Sequence, residues 1–189
     1  DLSPADIDEA QIAASSIVYL EGYLWDPKNA KEAFVKAAKI AHGAGRQVAL
    51  TLSDSFCVDR YRDEFLDLMR KGMVDLVFAN EAELHSLYQT SDFDGALKQL
   101  RADTKLGIVT RSEKGCVVAA KDGVTAVPAF PIQKLVDTTG AGDLFAAGFL
   151  YGYTREQPLL ECARLGAIAA AEVISHVGPR PLIELKTLV

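Results

Sequence analysis

Asp137-Thr138-Thr139-Gly140-Ala141-Gly142-Asp143 joins an extended stretch to a helical one and has glycine at two of its last four positions. Gly140 and Gly142 allow backbone angles that other residues avoid, and they let a ligand approach the main chain. Successive N–H groups at a helix start form a concave anion site, reinforced by the helix dipole. Asp143 then falls in the first helical turn, beside that site. A carboxylate there can take a proton from a hydroxyl that attacks a bound phosphoryl group. The plainer alternative is a helix after a flexible turn, since acidic residues favour first turns. Taken alone, G-A-G-D leaves both readings open.

Two other phosphate loops are excluded. No G-x-x-x-x-G-K-[ST] occurs, and a dinucleotide fingerprint running from Gly140 and Gly142 would need glycine where Phe145 stands. Elsewhere, Asn80-Glu81-Ala82-Glu83 sits where a strand pattern gives way to a helical one. Mg²⁺ prefers carboxylates and retained waters, and ligands bind outside the C-terminal ends of parallel strands. The competing reading is a helix N-cap followed by acidic first-turn residues. His42, His85 and His176 are isolated in the chain, and no catalytic histidine is assigned.

The elements that position these residues alternate between strand and helix signals. Ser3-Pro4-Ala5-Asp6 opens a short helix. Strands are expected over residues 16–24, 47–53, 74–79 and 106–110, and helices over about 28–42, 57–71, from 80 onward and 94–101. Residues 115–120 and 124–127, joined by Lys121-Asp122-Gly123, read as a hairpin with Asp-Gly as its turn. Helices then follow over about 142–152 and from Pro158 to about His176. The sum is a three-layer α/β/α, mostly parallel, Rossmann-like sheet with one late hairpin. No internal repeat or linker interrupts it, so 1–189 is expected to be a single domain.

Composition narrows the function classes. The chain is 49% hydrophobic and 24% charged, as ordinary globular proteins are. No apolar run approaches the ~20 residues that span a bilayer, so no membrane partner is expected. A net charge of −6 with interspersed signs lacks the basic stripe of a nucleic-acid reader. Cys57, Cys116 and Cys162 are far apart, which argues against a disulfide framework or zinc site and suits a reducing, cytoplasmic setting.

The longer string D-T-T-G-A-G-D-x-F, followed by Ala146, Ala147 and Gly148, resembles the second signature of the PfkB, or ribokinase-like, carbohydrate kinases. That resemblance implies ATP and Mg²⁺ as cofactors, Asp143 as the base, and Gly140, Ala141 and Gly142 as the anion-stabilising turn. Asn80 and Glu83 match the family's N-x-x-E element, in which the glutamate organises Mg²⁺ through water. Thr110 to Gly115 matches its T-x-G-x-x-G nucleotide loop, with Ser112 in place of the middle glycine. The helix containing Ala167 and Ala170 matches the one that flanks the adenine. Its small residues equally suit close helix packing. In relatives that use K⁺, the aspartate at the position of Asp137 helps hold the ion; here it could also simply cap the turn.

The resemblance covers the whole chain but only the C-terminal part of a typical member. No Gly-Gly dipeptide occurs, so the family's first signature, its strand-built lid and most substrate contacts are not in these residues. The expected function is transfer of the γ-phosphate of ATP to a hydroxyl of a small sugar or nucleoside, with little activity from this piece alone. Adenosine leads, because E-G-Y-L-W-D (Glu21–Asp26) resembles bacterial adenosine-kinase-like members. Members of the family often pair through the lid, which implies a homodimer for the full-length protein. The alternative of a different class is a non-catalytic nucleotide-binding or assembly module. A dinucleotide-dependent oxidoreductase is disfavoured by Phe145.

Overall fold

The computed structural model describes residues 2–188. Six strands form one sheet in sequence order: β1 (Ile17–Glu21), β2 (Gln47–Thr51), β3 (Leu76–Asn80), β4 (Leu106–Thr110), β5 (Cys116–Ala120) and β6 (Val124–Val127). Seven α-helices accompany them among the described residues: α1 (Glu9–Ala14), α2 (Lys28–Gly43), α3 (Ser55–Arg70), α4 (Glu81–Tyr88), α5 (Phe93–Asp103), α6 (Ala141–Tyr153) and α7 (Leu159–Val173). The architecture is the expected three-layer, mostly parallel α/β arrangement. The chain divides into two compact units, Asp1–Val109 with Ala119–Gly123, and Thr110–Val118 with Val124–Val189.

In the first unit β1, β2 and β3 run parallel, with Leu20 opposite Leu50 and Leu50 opposite Val77. Their sequences are nearly continuous apolar runs, the pattern of strands covered on both faces. Val48, Ala49, Leu50, Leu76 and Val77 are all fully buried. Helix α2 turns Ala30, Ala33, Phe34, Ala37, Ala38 and Ala41 inward, at the spacing of one helical face. Trp25 packs on Phe34 and Phe65, and its indole N–H donates to Glu64 at 2.8 Å. It is a packing group, as aromatics at strand ends commonly are.

Two expected strands end early for visible reasons. β1 stops at Glu21 because Gly22 turns the chain over the end of β2. A Cβ at Gly22 would lie 2.8 Å from Thr51 O and 2.9 Å from Leu52 O. β2 stops at Thr51, and Ser53 takes a left-handed φ of 72° on the way into α3. At the opposite end of the strands Asp75 is buried, accepting from Val48 N and pairing with His42 and Lys105. Burial works to raise its carboxyl, but the bonds from Lys105, His42 and Val48 outweigh it and hold it below the ordinary value.

The second unit is organised by α6 and α7. Phe145, Phe149, Cys162 and Ile168 are buried. The two helices approach closely because Gly148 and Gly166 carry no side chain. A Cβ at Gly148 would lie 2.5 Å from Leu165 O, and one at Gly166 would lie 2.7 Å from Phe145 O. Gly148→Val is therefore expected to lower stability by about 3 kcal/mol, since backbone atoms leave little room to relax. Urea denaturation measures this, and a change under about 0.5 kcal/mol would mean that the helices part freely. α7 ends at Val173 rather than near His176 because Ile174 O accepts Val136 N at 2.9 Å and Asp137 N at 3.4 Å. The main chain there serves the neighbouring turn and not another helical turn.

Candidate active site

The first unit gathers Tyr23, Ser53, Asp54, Asn80 and Glu83 at the C-terminal ends of β1, β2 and β3. Asn80 caps α4 and forms a reciprocal box with Glu83. Its side-chain oxygen accepts Glu83 N at 2.9 Å, while its N–H and side-chain amide donate to the Glu83 carboxylate at 2.9 and 2.6 Å. The helix-cap reading of this motif is thus correct locally, and it also fixes the carboxylate at the strand ends. Glu83 is 5% exposed. Burial pushes its carboxyl up to about 7, the Asn80 N–H pulls it back, and the charge of Asp54 pushes it up further.

Among the described residues no group of three His, Cys, Asp or Glu side chains is placed to hold a metal directly. Mg²⁺ does not require one, because it commonly keeps its waters and binds through one or two carboxylates and the phosphates of a substrate. Glu83 fits that role. It is a buried carboxylate with no ion-pair partner among the described residues, and each oxygen, with one Asn80 donor, can still accept from a metal-bound water.

Sequence reasoning missed the role of Ser53 and Asp54. Asp54 caps α3 by accepting Cys57 N at 2.7 Å, which is all its position in the sequence suggests. It also accepts from the hydroxyl of Tyr23, and this bond, more than burial, pushes the phenol up to about 12. Tyr23 N donates to Ser53 Oγ at 3.2 Å. A half-exposed tyrosine is thereby tied through its main-chain N–H and its hydroxyl to the loop after β2. The serine–aspartate pair reads as a cap, and nothing in its spacing reveals the left-handed backbone that aims Ser53 at Tyr23.

In the second unit the turn at 137–143 leads into α6. Gly140 is the N-cap of α6, with φ 79° and ψ 0°, and has no side chain to cap the helix. A Cβ there would lie 2.8 Å from Pro179 Cβ, so both its angle and its space require glycine. Ala141 N is bonded to Thr138 O, whereas Gly142 faces open space. Asp143 is exposed in the first turn of α6, and its carboxylate has no hydrogen-bond partner among the described residues. Asp137 Oδ1 accepts the N–H and hydroxyl of Thr139, and Oδ2 accepts Gly178 N at 3.0 Å. The Gly178 N–H and then Thr139 hold this carboxyl down to about 2. Three donors occupy most of its roughly four lone-pair positions, so Asp137 acts in this structure as a turn anchor.

Thr110 ends β4, and residues 112–114 make a single 3-10 turn before Gly115. Ser112, at the position where the resemblance expects glycine, has φ 51°. The backbone there keeps the left-handed angle that glycine would take without cost, and the serine bears the strain. Ala167 and Ala170 lie half-buried on α7. The expected residues thus fall in two groups, Asn80 and Glu83 in the first unit, and Thr110, Ser112, Gly115, Asp137, Gly140 to Asp143, Ala167 and Ala170 in the second.

A family model described as pfkB family carbohydrate kinase matches residues 1–185. The chain belongs to the PfkB family. It is 42% identical over 127 residues to the cytidine kinase of Thermococcus kodakarensis, which covers 62% of this chain and 45% of that one. Among solved structures, the adenosine kinase of Sinorhizobium meliloti is 55% identical with a TM-score of 0.98, covering 100% of this chain and 57% of that one. The adenosine kinase of Anopheles gambiae, solved with P1,P4-di(adenosine-5) tetraphosphate, is 27% identical with a TM-score of 0.79, covering 92% and 54%. This PfkB chain therefore spans about half the length of the relatives it matches.

Proposed function

We propose that this chain is the nucleotide-binding and catalytic part of an ATP-dependent kinase whose acceptor is a hydroxyl of a nucleoside or sugar. The observation that carries the reading is Asp143. It is an exposed carboxylate without a partner among the described residues, set in the first turn of a helix that Gly140 leaves without a side-chain cap. The N–H groups of Gly140, Gly142 and Asp143, in the turn that the Ala141 N–H closes on Thr138 O, hold the transferring γ-phosphoryl with the helix dipole. Asp143 takes the proton of the acceptor hydroxyl as its oxygen bonds to the γ-phosphorus, and the bond to the β-phosphate bridging oxygen breaks to release ADP. Asn80 fixes the buried Glu83 carboxylate, which would hold Mg²⁺ through its waters. When bound, Mg²⁺ neutralises charge on the phosphates. Thr110, the turn at Ser112, Gly115, Ala167 and Ala170 are the residues this reading assigns to the nucleotide.

The similarity to an adenosine kinase at 55% identity supports a nucleoside acceptor ahead of a free sugar. Positioning and exclusion of water contribute much of such catalysis, and the relatives extend well beyond the part matched here. The 189-residue chain is therefore expected to bind Mg·ATP weakly and to turn over little alone. Calorimetry with Mg·ATP, and transfer from labelled ATP to adenosine, cytidine and ribose by the intact protein, test the reading. Binding by the chain and transfer by the intact protein are the expected results. A folded protein that neither binds Mg·ATP nor phosphorylates any of the three would overturn it.

A further inference from the structure

Glu172 lies in the last turn of α7, its side chain only 8% exposed, and the proposed chemistry makes no use of it. Its Oε1 accepts Leu182 N at 2.9 Å and lies 3.3 Å from Nε2 of His176, whose Nδ1 lies 3.3 Å from Val177 O. Its Oε2 is buried without a partner. An apolar side chain would fill the same space without the cost of desolvating a carboxylate. What only an acceptor can do here is hold the Leu182 N–H.

That bond closes a loop from residue 172 to residue 182, and the middle of the loop touches the phosphate turn and the residue before it at three points. Ile174 O accepts Val136 N, Gly178 N donates to Asp137, and Pro179 fills the space beside Gly140. Gly178 has φ 99°, so its N–H direction depends on how the loop is held. We infer that Glu172 is a positioning residue for the phosphate-binding turn: it holds residues 176–182 against α7, and they set Asp137 and Gly140. The inference rests on the reading of that turn as the phosphate site.

Glu172→Leu keeps the bulk and removes the acceptor, Glu172→Gln keeps an acceptor oxygen, and Leu182→Pro removes the donor at an exposed position. In the unliganded chain, amide exchange at Gly178 and residues 138–142 is expected to quicken about tenfold in Glu172→Leu and Leu182→Pro, the scale of one buried bond to a charged acceptor. Mg·ATP affinity should fall by a similar factor in both, AMP affinity should hold within about twofold, and Glu172→Gln should restore the native behaviour. If Glu172→Leu does not fold, Leu182→Pro carries the test. Unchanged exchange at Gly178 overturns the inference, as does equal weakening of ATP and AMP. If the native chain binds no nucleotide, the reading of the site fails, and the exchange measurement still decides the role of Glu172.

Discussion

Asp143→Asn in the intact protein is expected to lower kcat by about 10²- to 10⁴-fold, the usual worth of a positioned general base. Mg·ATP affinity should stay within about threefold, because the main-chain N–H groups of the turn are untouched. Asparagine has nearly the same shape, and among the described residues the Asp143 side chain has no hydrogen bond to lose. The only structural cost is its charge at a helix N-terminus, about 0.3–1 kcal/mol at an exposed site. A fall in kcat with a nearly native melting curve therefore reports chemistry and not misfolding. A non-catalytic assembly module would be indifferent to the change, and steady-state kinetics beside calorimetry separates the two. If turnover survives at more than about a tenth of the native rate, another group takes the proton.

The second large effect concerns Glu83 and pH. Raising the pH from about 4.5 to about 8 is expected to move the stability difference between the native protein and Glu83→Gln by about 3 kcal/mol, in favour of the variant. Burial lifts this carboxyl from 4.5 to about 7 in the folded protein. Between those values the folded chain keeps a proton that the unfolded chain has released, so stability falls as the pH rises through the window. Below it both states are protonated and the penalty is absent; above it both are ionised and the penalty is complete. Glutamine cannot ionise, so its altered bonds to Asn80 add only a constant offset. Asp75, held low, acts in the opposite sense in a more acidic window, and it cancels because both proteins contain it. Urea denaturation at three pH values measures the difference. A gap independent of pH would mean that Glu83 titrates as an exposed carboxyl does.

Much of this was legible in the sequence because the signals were local. Apolar runs such as Val48–Leu50 gave away buried strands, Asp122-Gly123 gave away the hairpin, and G-A-G-D gave away the uncapped helix start. The Asn80–Glu83 cap was legible because a capping box has a fixed three-residue spacing, and the proposed ligand role uses the same two residues. Features that depend on distant backbone were not legible. Trp25 and Tyr23 look alike in the sequence, yet one is buried on Phe34 and Phe65 while the other is held half-exposed by Ser53 and Asp54. The anchoring of Asp137 by Gly178, 41 residues away, leaves no trace in either local pattern. The buried Glu172 looks like any polar residue near a helix end until Leu182 is seen to fold back on it.

The bond between Gly178 and Asp137 also bears on the order of folding. A contact spanning 41 residues forms only after the intervening chain has been brought together, and that closure costs conformational entropy before any local gain appears. Residues 137–140 lack regular structure of their own, and their shape is borrowed from the segment beyond α7. A nascent or partly unfolded chain can therefore contain α6 with Asp143 in place and still have no phosphate turn. On the proposed reading of the turn, anion binding is therefore expected to require the segment beyond α7 to have docked, and not merely the motif to be present.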